Sequence, residues 1–296
     1  MNLYEHISSN KRKSVILVIL FFAIIVSLGY FLGFFIGNAL IGIAAAVAVS
    51  ISMVLMSYFS GDRLILKMSH AVEADRKKYP HLVNTVEGLS IASGIPPPKI
   101  YVINDTAINA FAIGRSPKNA SVTVTTGAVE RLKRDELEGV IAHELAHIRN
   151  YDIRMMMLVA VLVGIIALMS DFFLRTMIYG KRKGSKGGKG AALLMVIGLV
   201  LALLSPFIAQ LIKFAVSRQR EYLADADGAL MSRNPQGLAN ALKKIRDDKE
   251  PLVEAANKAT AHLFIENPLR SFKGRINHLF LTHPPIEDRI KRLQKH

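Results

Sequence analysis

Val140-Ile-Ala-His143-Glu144-Leu-Ala-His147-Ile148 is the stretch that decides how the rest of the chain is read. Residues four apart on a helix lie one above the other, with Cβ atoms about 5–6 Å apart, so the imidazoles of His143 and His147 can reach one cation. Glu144 then projects to the neighbouring side of that cation, where its carboxylate can orient a water molecule and take its proton. A purely structural zinc site has no use for such a glutamate. Upstream, Arg134-Asp135-Glu136-Leu137 puts carboxylates in the first turn, and Leu137, Val140, Ile141, Leu145 and Ile148 recur at helical spacing. The stretch is therefore expected on an amphipathic helix, as the metal-and-base turn of a zinc peptidase. The plainer alternative is a pair of ordinary histidines on a helix face.

The chain around it is not that of a soluble protein. Of its 296 residues 51% are hydrophobic, and mean hydropathy is positive. Residues 14–35 and 39–59 carry no charge, and each is long enough to cross a bilayer, which takes about 20 residues. A cleaved signal peptide has a shorter apolar core, and no second span need follow it so closely. The expectation is a transmembrane hairpin. Lys11, Arg12 and Lys13 precede it, Arg63 and Lys67 follow it, and the connector at Gly37-Asn38 is uncharged, which places both flanks in the cytoplasm.

The formal net charge of +15 raises the question of nucleic acid, but no base-reading motif or aromatic-interleaved basic patch is present. Attraction to the anionic headgroups of membrane lipids accounts for the charge more simply. With no cysteine in the chain, histidine and carboxylate are the credible metal ligands.

Beyond the hairpin, Tyr79-Pro80-His81-Leu82 opens a helix with proline in its first turn, closed by Gly94 and the Pro96-Pro97-Pro98 run. Lys99–Ile103, Asn109–Arg115 and Ala120–Thr125 read as short strands between turn signals, leading into the His143 helix. Two more apolar stretches follow, 155–174 and 191–212. Their connector is crowded with Arg175, Lys181, Arg182, Lys183, Lys186 and Lys189. Two full crossings would carry that positive loop out of the cytoplasm, against the charge bias. A hydrophobic hairpin lying at the interface, or packed on the first two spans, would keep it inside. The expected organisation is a tail and hairpin over 1–60, then a cytoplasmic catalytic domain over 61–296, interrupted by those two segments.

A catalytic zinc needs a third protein ligand and one open position. Ile148-Arg-Asn-Tyr-Asp152 offers no further histidine. A downstream glutamate is the better candidate, and Arg218-Gln-Arg-Glu221-Tyr-Leu-Ala-Asp225 supplies Glu221, with Asp225 one turn later on the same face. Such an aspartate can receive the second nitrogen of a ligand histidine and fix its tautomer. The commoner fate of this kind of charge run is a solvated face paired with Arg218 and Arg220.

Taken in order, Asn109-Ala-Phe111, His143-Glu-Leu-Ala-His147, Ser217-Arg-Gln-Arg-Glu221-Tyr-Leu-Ala-Asp225 and Thr282-His-Pro-Pro285 resemble the HtpX-type membrane zinc metallopeptidases, which are more distantly similar to the CAAX prenyl endopeptidases. The resemblance covers almost the whole chain, hairpin included. It implies a mainly α protein with a small β-sheet, in which a zincin-like metallopeptidase domain is fused to the hairpin and a second hydrophobic helical pair. It implies one Zn²⁺ on His143, His147 and Glu221, with Glu144 as general base and Asp225 behind the ligands. It further implies that His283 and Arg289 help hold the developing oxyanion, a role in which a positive donor near zinc is physically reasonable. Asn109, Ala110, Phe111 and Ala112 become the edge strand beside which an extended substrate lies, as in β-augmentation. Without the resemblance, His283 reads as a loop histidine before Pro284-Pro285 and the strand as an ordinary sheet edge.

The reading is thus a multi-pass cell-membrane endopeptidase with its active site facing the cytoplasm, acting on protein substrates. The resemblance adds that these are damaged or misfolded membrane proteins, cleared in quality control or a stress response. The rival from another class is a non-catalytic zinc scaffold or a metal transporter, for which Asp171 in an apolar segment would mark a route.

Overall fold

The computed structural model describes residues 3–162, 164, 218–248, 250, 260, 263–265 and 284–295. Two long helices come first, α1 (Leu3–Ile36) and α2 (Ala39–Met68), turning at Gly37-Asn38, where the Asn38 side chain accepts the Ile41 N–H. Both are long and apolar enough to cross a membrane. Only 17% of each apolar window is buried within the protein, which separates them from core helices of a soluble fold. Phe31, Phe34, Leu40, Ile41 and Phe59 point outward. The two helices pack where small residues let backbones touch: Gly42 lies against Gly29 and Gly33 with no room for a side chain.

The second helix does not stop at residue 59. Nothing in Arg63-Leu-Ile-Leu-Lys67 breaks a helix, and α2 continues as one rod until His70 enters the left-handed region at φ 51°. The expected boundary at 60/61 therefore falls inside a helix whose last turns, at Ile65 and Leu66, are already buried in the core of the domain that follows.

A four-stranded sheet follows, built from β1 (Val72–Glu73), β2 (Lys99–Ile103), β3 (Ala110–Ser116) and β4 (Asn119–Thr125) in the order β1-β2-β4-β3. β2 runs parallel to β4, while β1–β2 and β3–β4 are antiparallel. The strand carrying Ala110, Phe111 and Ala112 is thus an edge of the sheet. Between β1 and β2, α3 (Pro80–Ser93) ends on Gly94 in the left-handed conformation, φ 68°. After β4, the short α4 (Thr126–Arg131) leads to α5 (Arg134–Arg149), the helix of the motif. The carboxylate of Glu136 accepts the Lys133 N–H at 2.6 Å and pairs with Lys244 at 2.7 Å, fixing the start of α5.

Three further helices close around it: α6 (Arg218–Ser232), α7 (Pro235–Asp247) and α8 (Ile286–Leu293). α5 is the hub. Leu137, Val140, Ile141, Leu145 and Ile148 are buried in one core with Leu82 and Val86 of α3, Val122 and Val124 of β4, and Leu238 and Leu242 of α7. Of the second pair of apolar segments, residues 155–162 and 164 are described, continuing a helical run that starts at 152. They are helical, with Met156, Met157 and Val161 buried against the end of α2 and Phe111, and Leu162 against Phe21 and Met53 of the hairpin. The rest of 155–174, the basic connector, Asp171 and all of 191–212 lie outside the described residues.

Candidate metal centre

α5 and α6 carry the site between them. His143 and His147 project from one face of α5, and Glu221 comes from the first turn of α6. The Nε2 atoms of the two histidines are 3.2 Å apart; Glu221 Oε1 is 3.6 Å from His147 Nε2, and its Oε2 is 3.8 Å from His143 Nε2. A tetrahedral zinc with bonds of about 2.0–2.1 Å holds its ligand atoms roughly 3.3 Å apart. The three donors are therefore nearly in place for such an ion, and their neutral-nitrogen and carboxylate chemistry suits it. All three side chains are buried, Glu221 to 2% exposure, so this carboxylate does not belong to a solvated helix face.

Behind these three donors stands a second layer of charge. Asp225, one turn after Glu221, places Oδ1 3.0 Å from His143 Nδ1. Arg289 of α8 is completely buried and grips Asp225 with two donors, Nε to Oδ2 at 2.9 Å and Nη2 to Oδ1 at 2.6 Å. Its Nη1 lies 3.7 Å from Glu221 and donates to the Ile265 carbonyl at 3.2 Å. The two-pronged geometry is what a guanidinium offers and an ammonium does not. On His147 the corresponding partner is Asp152, with Oδ2 3.0 Å from Nδ1. The spacing gives no sign of this contact, since five residues after His147 is the wrong face of a continuous helix.

The buried charges set one another's protonation. Burial, with Arg289 close by, pulls His143 down to about 4. His147 goes the other way: burial pulls it down, but its bond to Asp152 and the charge of Glu221 outweigh that and carry it to about 9. For Asp225, burial pushes upward, and Arg289 and His143 together overcome it and hold the carboxyl well below its usual range. Glu144 is pushed up to about 7 by burial, against the downward pull of His147; Glu221 adds to the rise, while Arg289 and the backbone N–H of Ala112 oppose it. A carboxyl near 7 can take up and return a proton at neutral pH.

The edge strand reaches this site from the side. Asn109 is buried, with its backbone N–H on Thr125 Oγ1 and its side-chain oxygen on the Ala110 N–H at 3.0 Å each. The Ala110 carbonyl accepts the Ile265 N–H at 3.0 Å, and Phe264 packs edge-to-face on Phe111 with centroids 4.9 Å apart. Ala110, Phe111 and Ala112 are all buried beside α5. His283 lies outside the described residues; Pro284 and Pro285, which follow it, lead directly into α8 and Arg289.

Comparison with known proteins identifies the family. Residues 76–296 match the profile described as Peptidase family M48. A protein named Protease HtpX homolog from Dictyoglomus thermophilum is 47% identical over 297 residues, covering 98% of this chain and 94% of the relative. Another of that name, from Listeria monocytogenes, is 39% identical over 303 residues, covering 99% of both. Among solved structures, the crystal structure of S. mikatae Ste24p aligns with 98% of this chain and 66% of its own at a TM-score of 0.49 and 17% identity, a likeness too distant to carry an argument.

Proposed function

The chain belongs to peptidase family M48, among the HtpX-type members, and is a membrane metalloprotease; from that premise we propose that it is a zinc endopeptidase that cleaves membrane proteins on the cytoplasmic side. What carries the proposal is one cluster: the donor atoms of His143, His147 and Glu221 lie within 4.8 Å of one another, with the Glu144 carboxyl buried beside them.

A zinc ion held by His143, His147 and Glu221 would act there as a Lewis acid and make water a better nucleophile at neutral pH. The protein's own groups do the rest. Glu144, steadied by the Ala112 N–H, takes the proton of the attacking water and later gives it to the leaving nitrogen. Asp225 and Asp152 each hold one histidine by its far nitrogen, leaving the near nitrogens to face the cation. Arg289, already engaged with Asp225, serves as a fixed positive charge behind the site that favours a developing oxyanion, and His283 is the donor toward it. An extended substrate adds to the edge of β3 along Asn109–Ala112, which Ile265 partly covers. The Ile265 N–H on the Ala110 carbonyl marks the kind of bond it makes, and a substrate strand bonding there displaces Ile265.

The charges flanking the hairpin favour a cytoplasmic position for both of its ends, and so for the catalytic domain, with membrane lipids around α1 and α2. The division into a hairpin and a catalytic domain, with 155–174 and 191–212 as hydrophobic insertions, belongs to the same reading, with α2 running on from the one into the other. A protease whose folded domain is packed against the foot of a membrane hairpin is suited to damaged or misfolded membrane proteins, in quality control or a stress response. Metal removal tests the chemistry. Stripping detergent-purified protein with a chelator should abolish cleavage of casein or a membrane-protein substrate, and one equivalent of zinc should restore it. Full cleavage by metal-stripped protein would sink the proposal.

A further inference from the structure

His147 is held from behind by a chain of contacts that begins on the first membrane helix. Asp152 follows His147 by five residues, which on a continuous helix of 3.6 residues per turn would carry it well away from the ligand's face. The backbone solves this with a break. Asn150 caps α5, Tyr151 turns through the left-handed region at φ 60°, and a new helical run starts at 152 with its carboxylate swung back to His147 Nδ1. An aromatic residue seldom adopts that backbone conformation unless its surroundings hold it there.

Asn10 of α1 sits on this break and is only 4% exposed. Its Nδ2 donates to Asp152 Oδ1 at 2.7 Å and to the Asn150 carbonyl at 2.9 Å, bracing the chain on both sides of Tyr151. Both neighbours are pure acceptors, so the amide orientation is dictated by them. Arg220 adds a contact to the same Asp152 oxygen at 3.5 Å. With Oδ1 held in this way, Oδ2 is left facing His147. The next residue, Lys11, packs its ammonium 4.3 Å from the centroid of the Tyr151 ring but touches no member of the Asp152–His147 pair.

We propose that Asn10 is a positioning residue of the metal centre: reaching in from the first membrane helix, it locks Asp152 against His147 and so sets the tautomer and aim of that ligand. The hairpin is then a working part of the site as well as its anchor. This rests on the zinc reading above, and on ligand-supporting partners being worth about 10–100-fold in metal affinity.

The test uses full-length protein in detergent, with zinc affinity measured by chelator competition and the visible spectrum of the cobalt-substituted protein recorded alongside. Asn10→Asp is isosteric and turns the donor into an acceptor facing a carboxylate. It should weaken zinc binding by about tenfold or more and shift the cobalt bands, as should Asp152→Asn. Asn10→Gln, which keeps the donor, should recover most of the affinity. Arg12→Ala removes an exposed charge of the same helix turn and should leave affinity and spectrum as in the wild type. If Asn10→Asp lowers the melting temperature but leaves zinc affinity and the cobalt spectrum unchanged, Asn10 merely ties the helix to the domain and the inference is overturned. Wild-type protein that binds no zinc through His143 and His147 would instead overturn the zinc reading, and this inference with it.

Discussion

Gly228 of α6 packs directly on the α5 backbone at His143, and replacing it with alanine tests whether the spacing of these two helices sets the metal site. A methyl group there would lie 2.9 Å from the backbone nitrogen of His143 and 3.1 Å from its Cα. Carbon contacts settle at about 3.5–4.0 Å. Neither obstacle is a side chain that can swing aside, so α6 must back away from α5 by roughly half an ångström. Two stability effects oppose each other. Alanine gains about 1 kcal/mol over glycine inside a helix, and overpacking a core costs about 1–3 kcal/mol. Stability should therefore fall by no more than ~2 kcal/mol, a few degrees in melting temperature. The metal is less forgiving. Glu221 rides on α6 while His143 and His147 ride on α5, and ligand distances must hold to about 0.2 Å. Gly228→Ala should thus lower zinc affinity by about tenfold or more while the protein remains folded. Chelator competition and thermal melts with and without zinc measure the two effects separately. Gly88→Ala is the control: its added methyl meets nothing, so it should leave zinc binding alone and, if anything, stabilise α3. Wild-type zinc affinity in Gly228→Ala would refute the claim that helix spacing holds the ligands in register.

Arg289→Ala leaves the buried Asp225 carboxylate without its two-pronged partner, which should cost about 3–5 kcal/mol in denaturant unfolding; Arg289→Lys should recover little, and a loss under 1 kcal/mol would contradict the arrangement. Because burial pushes the Glu144 carboxyl up to about 7, its base form is lost as pH falls through that value. The acid limb of the cleavage profile should therefore lie above the ordinary carboxyl value of 4.5 and drop about tenfold per pH unit below its midpoint; a profile flat down to pH 5 would show that another group is the base. The chain has no cysteine, so single introduced ones report topology cleanly. A cysteine at Asn38 should react with an impermeant thiol reagent from outside the cell, and one at Lys186 only from the cytoplasmic side; the reverse pattern would invert the orientation.

Much of this architecture is legible in the residues because local signals suffice for it. Lys99–Ile103 is a strand in both readings, and the Pro80 start and Gly94 end of α3 come from backbone chemistry that a sequence displays directly. What is not legible depends on distant partners. β1 is two residues long and exists only because Val72 and Glu73 pair with Val102 and Tyr101, so it has no periodicity to detect. The continuation of α2 to Met68 is hidden because Arg63 and Lys67 look like the flank of a span, whereas the helix carries its apolar side on into the domain's core. In the site, Glu221 and Asp225 show themselves as a carboxylate pair at helical spacing, but nothing in that spacing says whether they face solvent or the histidines. Asp152 is concealed by the left-handed turn at Tyr151, and Asn10 by its distance along the chain, buried in a stretch that otherwise reads as a basic flank.

The central claim is that Glu144 is the base at a zinc site made by His143, His147 and Glu221. Wild type and Glu144→Gln should be purified side by side, with zinc per chain and cleavage of one membrane-protein substrate measured on the same samples. The account predicts equal zinc in both and a rate in the variant lower by at least about 100-fold. Cleavage by Glu144→Gln at the wild-type rate would contradict it.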